Sequence, residues 1–313
     1  MKVIHLTHPT NMKMLDLEPA VMALGYFDGI HLGHQKVILT AKEIAEKLGY
    51  KSAVMTFYPH PSVVLGKDKA KVKSITPLSV KEQILGAMGI DIMYVVKFDS
   101  TFATLLPQQF IDDYVIGLHI KHVVAGFDFT YGRLGKGTME TMPFHSRGEF
   151  TQTVIEKVEF QDEKVSSTLL RSLIQEGKMD EIPTILGRRY QIAGTVVHGD
   201  KRGRQIGFPT ANVQVSSDFM LPPTGVYAVR MKVKDTWFNG VCNVGYKPTF
   251  QQKEKALSVE VHLFSFDDII YNESVEVEWH FRIRPEKKFH EVEELVAQIA
   301  QDKQMTLQYF KEQ

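Results

Sequence analysis

Cysteine is almost absent from this 313-residue chain; Cys242 is the only one. A single thiol excludes an intramolecular disulfide and any zinc cluster built on cysteines. The missing disulfide framework fits a reducing, cytoplasmic compartment. Net charge is absent as well: 37 Lys and Arg balance 37 Asp and Glu, and the balance holds on both sides of Gly187. Neither half is a basic arm or an acidic tail. A chain built to grip nucleic acid by its phosphates would carry a basic excess, so no nucleic-acid partner is expected. No apolar run approaches the ~20 residues that span a bilayer. The opening MKVIHLTHPTNMKML lacks the apolar stretch of a signal peptide, so no membrane partner is expected either. Internal repeats and low-complexity segments are also missing. What remains is the composition of a globular protein, 43% hydrophobic and 24% charged. Its length exceeds what one core usually sustains, which predicts two domains.

The first half alternates strand-like and helix-like segments. Residues 20–27 form a compact apolar run ending in a glycine-rich turn. Helical spacing follows over 31–48 through Val37, Ile38, Ala41, Ile44, Ala45 and Leu48, with Gly49 as the stop. Strands are expected over 51–57, 91–98 and 120–127, and helices over 77–88 and 107–117. Such a succession predicts an α/β domain with a doubly wound parallel sheet. Ligands of such sheets bind at the carboxyl ends of strands, in the loops after Phe27, Phe57 and Phe127. The character changes near Gly187. In 275–284, Val275, Val277, Trp279, Phe281 and Ile283 alternate with charged or polar residues, the mark of a half-buried antiparallel strand. Further strands over 191–197, 226–233, 238–244 and 259–266, with a helix over 291–310, predict a small antiparallel β-barrel and a terminal helix. The boundary is placed between residues 185 and 186.

The first candidate site is Gly25-Tyr-Phe-Asp-Gly-Ile-His-Leu-Gly-His34. Gly25, Gly29 and Gly33 permit close backbone approach to a ligand. The helix beginning near His31 turns free N–H groups and a positive dipole end toward the loop, a natural anion site. His31 and His34 are three apart and share one face of the first turn, where they can donate to phosphate oxygens as charge builds on them. The same residues could form a plain turn with two surface histidines, or a metal pair completed by His60. The pattern is neither a P-loop nor a dinucleotide fingerprint.

The G-x-F-D-G-x-H-x-G-H pattern resembles the His-x-Gly-His signature of the nucleotidyltransferase superfamily, in particular the adenylyltransferase module of bacterial bifunctional riboflavin kinase/FAD synthetases. Thr56-Phe-Tyr-Pro-His-Pro61, Gly126-Phe-Asp-Phe-Thr-Tyr-Gly132 and Val165-Ser-Ser-Thr-Leu-Leu-Arg171 follow in family order. By spacing alone, Ser166–Thr168 and Arg171 read as a helix cap followed by a solvated arginine. The resemblance reverses that. It implies catalytic roles for His31, His34 and Arg171, and nucleotide contacts from Gly25, Phe27, Asp28, Gly29, Gly33, Ser167 and Thr168. It also implies flavin contacts from Pro59, Pro61, Asp128 and Tyr131.

The second candidate site spans residues 194–212, with glycines at 194, 199, 203 and 207 and with Lys201, Arg202 and Arg204 between them. A flexible basic loop followed by small polar side chains suits a polyphosphate and its metal. Thr210 and Asn212 are two apart, so in an extended chain they share a face and can share Mg²⁺ or phosphate. A solvated hairpin tip is the bland alternative. The stretch resembles the riboflavin kinase signature, G-F-P-T-A-N included, and Gly225-Val-Tyr, Asn243-Val-Gly-Tyr-Lys-Pro-Thr-Phe250 and Val259-Glu-Val-His262 follow in order. The chain departs from the family pattern at Gly187-Arg-Arg-Tyr190 and at Tyr271-Asn272. From the residues alone, Glu260 is no better placed than Glu276 or Glu278. The resemblance makes it the general base, with Gly199, Lys201, Gly207, Thr210 and Asn212 on the nucleotide and Thr210 and Asn212 on the metal. The implied chemistry is ATP-dependent phosphorylation of riboflavin to FMN, then adenylylation of FMN to FAD, with Mg²⁺ in both. Activity in one domain only, or a non-catalytic flavin or nucleotide sensor, is the alternative.

Overall fold

The segment Ala20–Leu24 (AVMAL) is buried at every position, as a strand covered on both faces must be. It is the second strand (β2) of a parallel sheet formed with Lys2–Leu6 (β1), Lys51–Tyr58 (β3), Ile92–Lys97 (β4), Ile120–Gly126 (β5) and Thr151–Ile155 (β6). In this computed structural model the order is β1-β4-β3-β2-β5-β6 and every pairing is parallel. The structure describes residues 1–10, 17–66, 72–160, 162–199, 202–246 and 257–313. They form two compact units, Met1–Ser167 and Thr168–Gln313.

Alternate residues of the parallel sheet face two different cores. Val21, Ala23, Val54 and Val124 pack against Val37, Ile38, Ala41 and Ala45 of the helix Leu32–Leu48 (α1). Met22, Leu24, Met55 and Val123 face an aromatic layer around Phe102, Phe110 and Tyr114. The sheet is thus doubly wound, as expected. Helix α1 ends where Gly49 adopts φ 68° and its N–H bonds back to Ala45 and Glu46. The expected helix over 107–117 divides into Pro107–Ile111 and a wider turn, Asp112–Ile116, that keeps Tyr114 and Val115 buried. Strands β1 and β6 have no apolar run to announce them, because each is a half-exposed sheet edge. Since β2 leads to β3 on one side and β5 leads to β6 on the other, the winding reverses between β2 and β5. In such sheets that reversal opens a crevice for ligands.

The second unit is a closed antiparallel barrel of Gln191–Val197 (β7), Ala211–Val215 (β8), Gly225–Val233 (β9), Thr236–Tyr246 (β10), Leu257–Leu263 (β11) and Ser274–Arg284 (β12). Its order is β7-β8-β11-β10-β9-β12. The period-two reading of β12 holds through Val275, Val277 and Trp279, all buried. It then breaks: Trp279 pairs with Val229 and Phe281 with Ala228, leaving His280 as the extra residue of a bulge. His280 is therefore buried, contrary to the alternation. It bonds Glu278 at 2.9 Å and lies edge-on to Phe310 of the terminal helix Val292–Lys311. The same helix is fixed by Asp302, 1% exposed, which receives the Arg284 fork at 2.8–3.1 Å.

Candidate active sites

The first site is built where β2 gives way to α1. His31 caps the helix, its Nδ1 accepting the His34 N–H at 3.2 Å. The two imidazoles stack with centroids 3.5 Å apart, and Phe27 meets His34 edge-on at 5.3 Å. A side chain at position 33 would crowd the His31 ring, with a Cβ only 3.1 Å from Cε1, so glycine there lets the rings lie flat. Burial, then His31, Lys81 and Lys164, hold the His34 imidazole well below its usual 6.5, so it is neutral at neutral pH. Its Nδ1 is buried and has no hydrogen-bond partner among the described residues.

These groups line a cavity of about 390 Å³ at the winding reversal. Gly25, Phe27, His31, Gly33, His34 and Ser167 all face it. Asp28 and Gly29 do not; they brace the turn from behind. The Asp28 carboxylate accepts the N–H groups of Ile75 and Thr76 at 3.0 and 3.1 Å, and Gly29 N–H donates to Thr76 Oγ1 at 2.8 Å. Ser167 opens the helix Ser167–Glu176 and donates to the Asp28 carbonyl at 2.8 Å. The helix thus starts inside the Ser166–Thr168 stretch read as its cap. Thr168 and Arg171 fall in the second unit, where an Arg171 nitrogen lies 3.9 Å from Met220 Sδ. Among the described residues no group of three or more His, Cys, Asp or Glu could hold a metal. His60 instead caps Pro61–Leu65 through its Nδ1.

The flavin set divides. Asp128 lines the first cavity, ion-paired with Lys164. Tyr131 lines a second cavity of about 230 Å³ with Phe57, Phe98 and Phe102, and Pro61 borders both. Pro59 lines neither. Tyr131 is 4% exposed, with its hydroxyl 2.8 Å from His145 Nδ1. Lys81, not among the candidates drawn from the sequence, is buried and donates to the Tyr26 carbonyl at 2.6 Å and Thr56 Oγ1 at 2.9 Å. Its signal was present: Leu78, Lys81 and Leu85 fall at the spacing of an apolar stripe.

In the barrel, Asn212, Glu260 and Asn243 stand directly opposite one another on β8, β11 and β10. Cross-strand partners share a face, so they form one polar row. Asn243 was not among the expected site residues. The glycine loop closes on this row: a Cβ at Gly199 would lie 2.5 Å from Asn212 Cγ, and one at Gly203 would lie 3.7 Å from Thr210 Oγ1. Gly207 takes φ 83°. Lys201 lies outside the described residues. Thr210 lines a cavity of about 450 Å³ with Arg204, Phe266, Asp267 and Tyr271; Asn212 and Glu260 do not line it.

Each half of the chain is similar to a different protein family. Residues 13–169 match the FAD synthetase family and residues 186–310 the riboflavin kinase family. A bifunctional riboflavin kinase/FMN adenylyltransferase from Bacillus subtilis is 53% identical over 99% of this chain and 98% of its own. The chain belongs to the bifunctional riboflavin kinase/FMN adenylyltransferase family. Another bifunctional riboflavin kinase/FMN adenylyltransferase, from Listeria monocytogenes, is 47% identical over 99% of this chain and 98% of its own. A crystal structure described as a macrolide-efflux protein from Streptococcus pneumoniae superposes with a TM-score of 0.88 at 33% identity, covering 98% of this chain and 99% of that one. Among the described residues no helix is long and apolar enough to cross a membrane. Both transferase domains of the family are present in this chain, and the sheet and barrel described above are their folds.

Proposed function

We propose that residues 186–313 phosphorylate riboflavin and residues 1–185 join the product to AMP, in the cytoplasm. In the first step the ribityl hydroxyl of riboflavin attacks the γ-phosphorus of ATP, giving FMN and ADP. Glu260 accepts the hydroxyl proton. Asn212 and Asn243, flanking Glu260 in the ladder, orient it. Thr210 and Asn212 offer a hydroxyl and a carboxamide oxygen, the hard donors Mg²⁺ takes. Gly199 packs against the Asn212 carboxamide with no room for a side chain between them, and the fit to the metal rests on the oxygen chemistry of Thr210 and Asn212. Bound there with ATP, Mg²⁺ would neutralise phosphate charge. Gly199, Lys201 and Gly207 contribute the phosphate loop.

In the second step the FMN phosphate attacks the α-phosphorus of a second ATP in line, and pyrophosphate leaves. No covalent enzyme intermediate is required. His31, His34 and Arg171 stabilise the developing charge, while Gly25, Phe27, Gly33, Ser167 and Thr168 position the triphosphate and Asp28 and Gly29 brace the turn. The apolar cavity holding Pro61 and Tyr131 suits a planar flavin ring, with Pro59 and Asp128 at the approach. The observation that carries the reading is the stacked His31–His34 pair at a helix N-terminus, facing a cavity at the winding reversal. Incubation with riboflavin and Mg·ATP, followed by chromatographic separation of the flavins, tests it. FMN followed by FAD is expected. FMN alone refutes the second activity, and neither product would leave a sensor.

A further inference from the structure

Lys81 is the one charged residue on the buried face of the helix Leu78–Ala87, and it is 3% exposed. Its two hydrogen bonds run to uncharged oxygens, the Tyr26 carbonyl at 2.6 Å and Thr56 Oγ1 at 2.9 Å, while the ammonium sits 4.6 Å from the centre of the Tyr26 ring. Thr56 Oγ1 also donates to the same carbonyl at 2.8 Å. The clamped peptide leads directly into Phe27, which holds φ 54°, a left-handed conformation costly for a side chain of that size. Phe27 in turn sets the edge of the His34 ring. A buried cation is expensive to maintain when its hydrogen bonds go to neutral oxygens, and the Asp28 carboxylate offsets only part of that cost. A methionine or a leucine would fill this stripe as well but could not donate to the Tyr26 carbonyl.

We propose that Lys81 is a positioning residue for adenylyl transfer: its charged ammonium fixes the Tyr26 peptide, and through Phe27 the His34 ring, beneath the anionic substrates. This rests on the adenylyltransferase reading of the cavity. The titratable groups near Lys81 are the Asp28 carboxylate, committed to Ile75 and Thr76, and the His34 imidazole, beside its stacked partner His31. Burial pulls the ammonium down to about 8, with Asp28 opposing. The charge is thus present below that pH and lost above it.

The test uses full-length Lys81→Met and Thr56→Val. For Lys81→Met, kcat for FAD formation from FMN and Mg·ATP falls about 10²-fold, with KM less affected, as when a reacting group is misplaced by an ångström. Riboflavin phosphorylation by the same sample is unchanged. The unaltered protein loses FAD-forming activity as pH rises through about 8, and Lys81→Met lacks that limb. Thr56→Val keeps the charge but removes one acceptor, so its limb moves to lower pH. Histidine NMR reads the coupling without turnover, the His34 ring titrating closer to its ordinary value in Lys81→Met. A Lys81→Met protein with normal kcat and an intact alkaline limb overturns the assignment. So does an unmoved limb in Thr56→Val, which decides the matter alone if Lys81→Met does not fold. Failure of the unaltered protein to make FAD would instead overturn the reading of the cavity itself.

Discussion

Replacing Gly199 with alanine tests the kinase site at its tightest point. The new Cβ would stand 2.5 Å from Asn212 Cγ, about 1 Å inside the ordinary carbon–carbon separation of about 3.5 Å. Asn212 is only 9% exposed, and it lies directly opposite Glu260 in the ladder. Something must therefore move by about 1 Å: the glycine loop, or the Asn212 carboxamide beside Glu260. Misplacement on that scale costs about 10²-fold in rate, equivalent to about 2.7 kcal/mol of transition-state stabilisation. The assay is ADP release with riboflavin and Mg·ATP. FAD formation from supplied FMN, measured on the same sample, serves as the control. The expected outcome is a kinase rate down about 10²-fold with adenylyl transfer unchanged. A Gly199→Ala protein that phosphorylates riboflavin at the normal rate would refute the placement of Asn212 in the kinase machinery.

Glu260→Gln should lower FMN formation by about 10²–10⁴-fold, the contribution of a general base, and leave FMN-to-FAD conversion intact; intact phosphorylation would remove Glu260 from the role. His31→Ala should show the opposite split in the same chromatographic assay. Because burial and neighbouring positive charge hold His34 below 6.5, FAD formation should be flat on the acid side down to that pH and decline only below it. A decline already in progress above 6.5 would show a histidine of ordinary acidity. Asp302→Asn leaves the Arg284 fork short of its buried counter-charge and should destabilise the barrel by about 3 kcal/mol, read by urea unfolding. A change within about 0.5 kcal/mol would show the pair to be dispensable.

Much of the fold was legible because its signals are local. The unbroken run at 20–24 and the spacing of α1 need no partner to be read, and glycine stops and period-two alternation follow from backbone geometry alone. Edge strands β1 and β6 escaped because half-exposed strands lack an apolar run. The bulge at His280 escaped because an extra residue is defined only by the strand opposite it. The His31–His34 pair was legible from its spacing and from its place at a strand-to-helix switch. Glu260 was not, since Glu276 and Glu278 occupy equivalent strand positions; only family resemblance separated them.

By itself, the sequence determined two domains of different class, the strand-to-helix turn with its two histidines and the glycine loop, and it excluded disulfide, cysteine-zinc and membrane-span chemistry. Tertiary structure decided which distant residues meet. Strand pairing set Asn212 and Asn243 beside Glu260. The winding reversal put the histidines into a cavity, and helix packing drove Lys81 beneath the Tyr26 peptide. Such meetings depend on register and packing across long loops, which local periodicity does not encode.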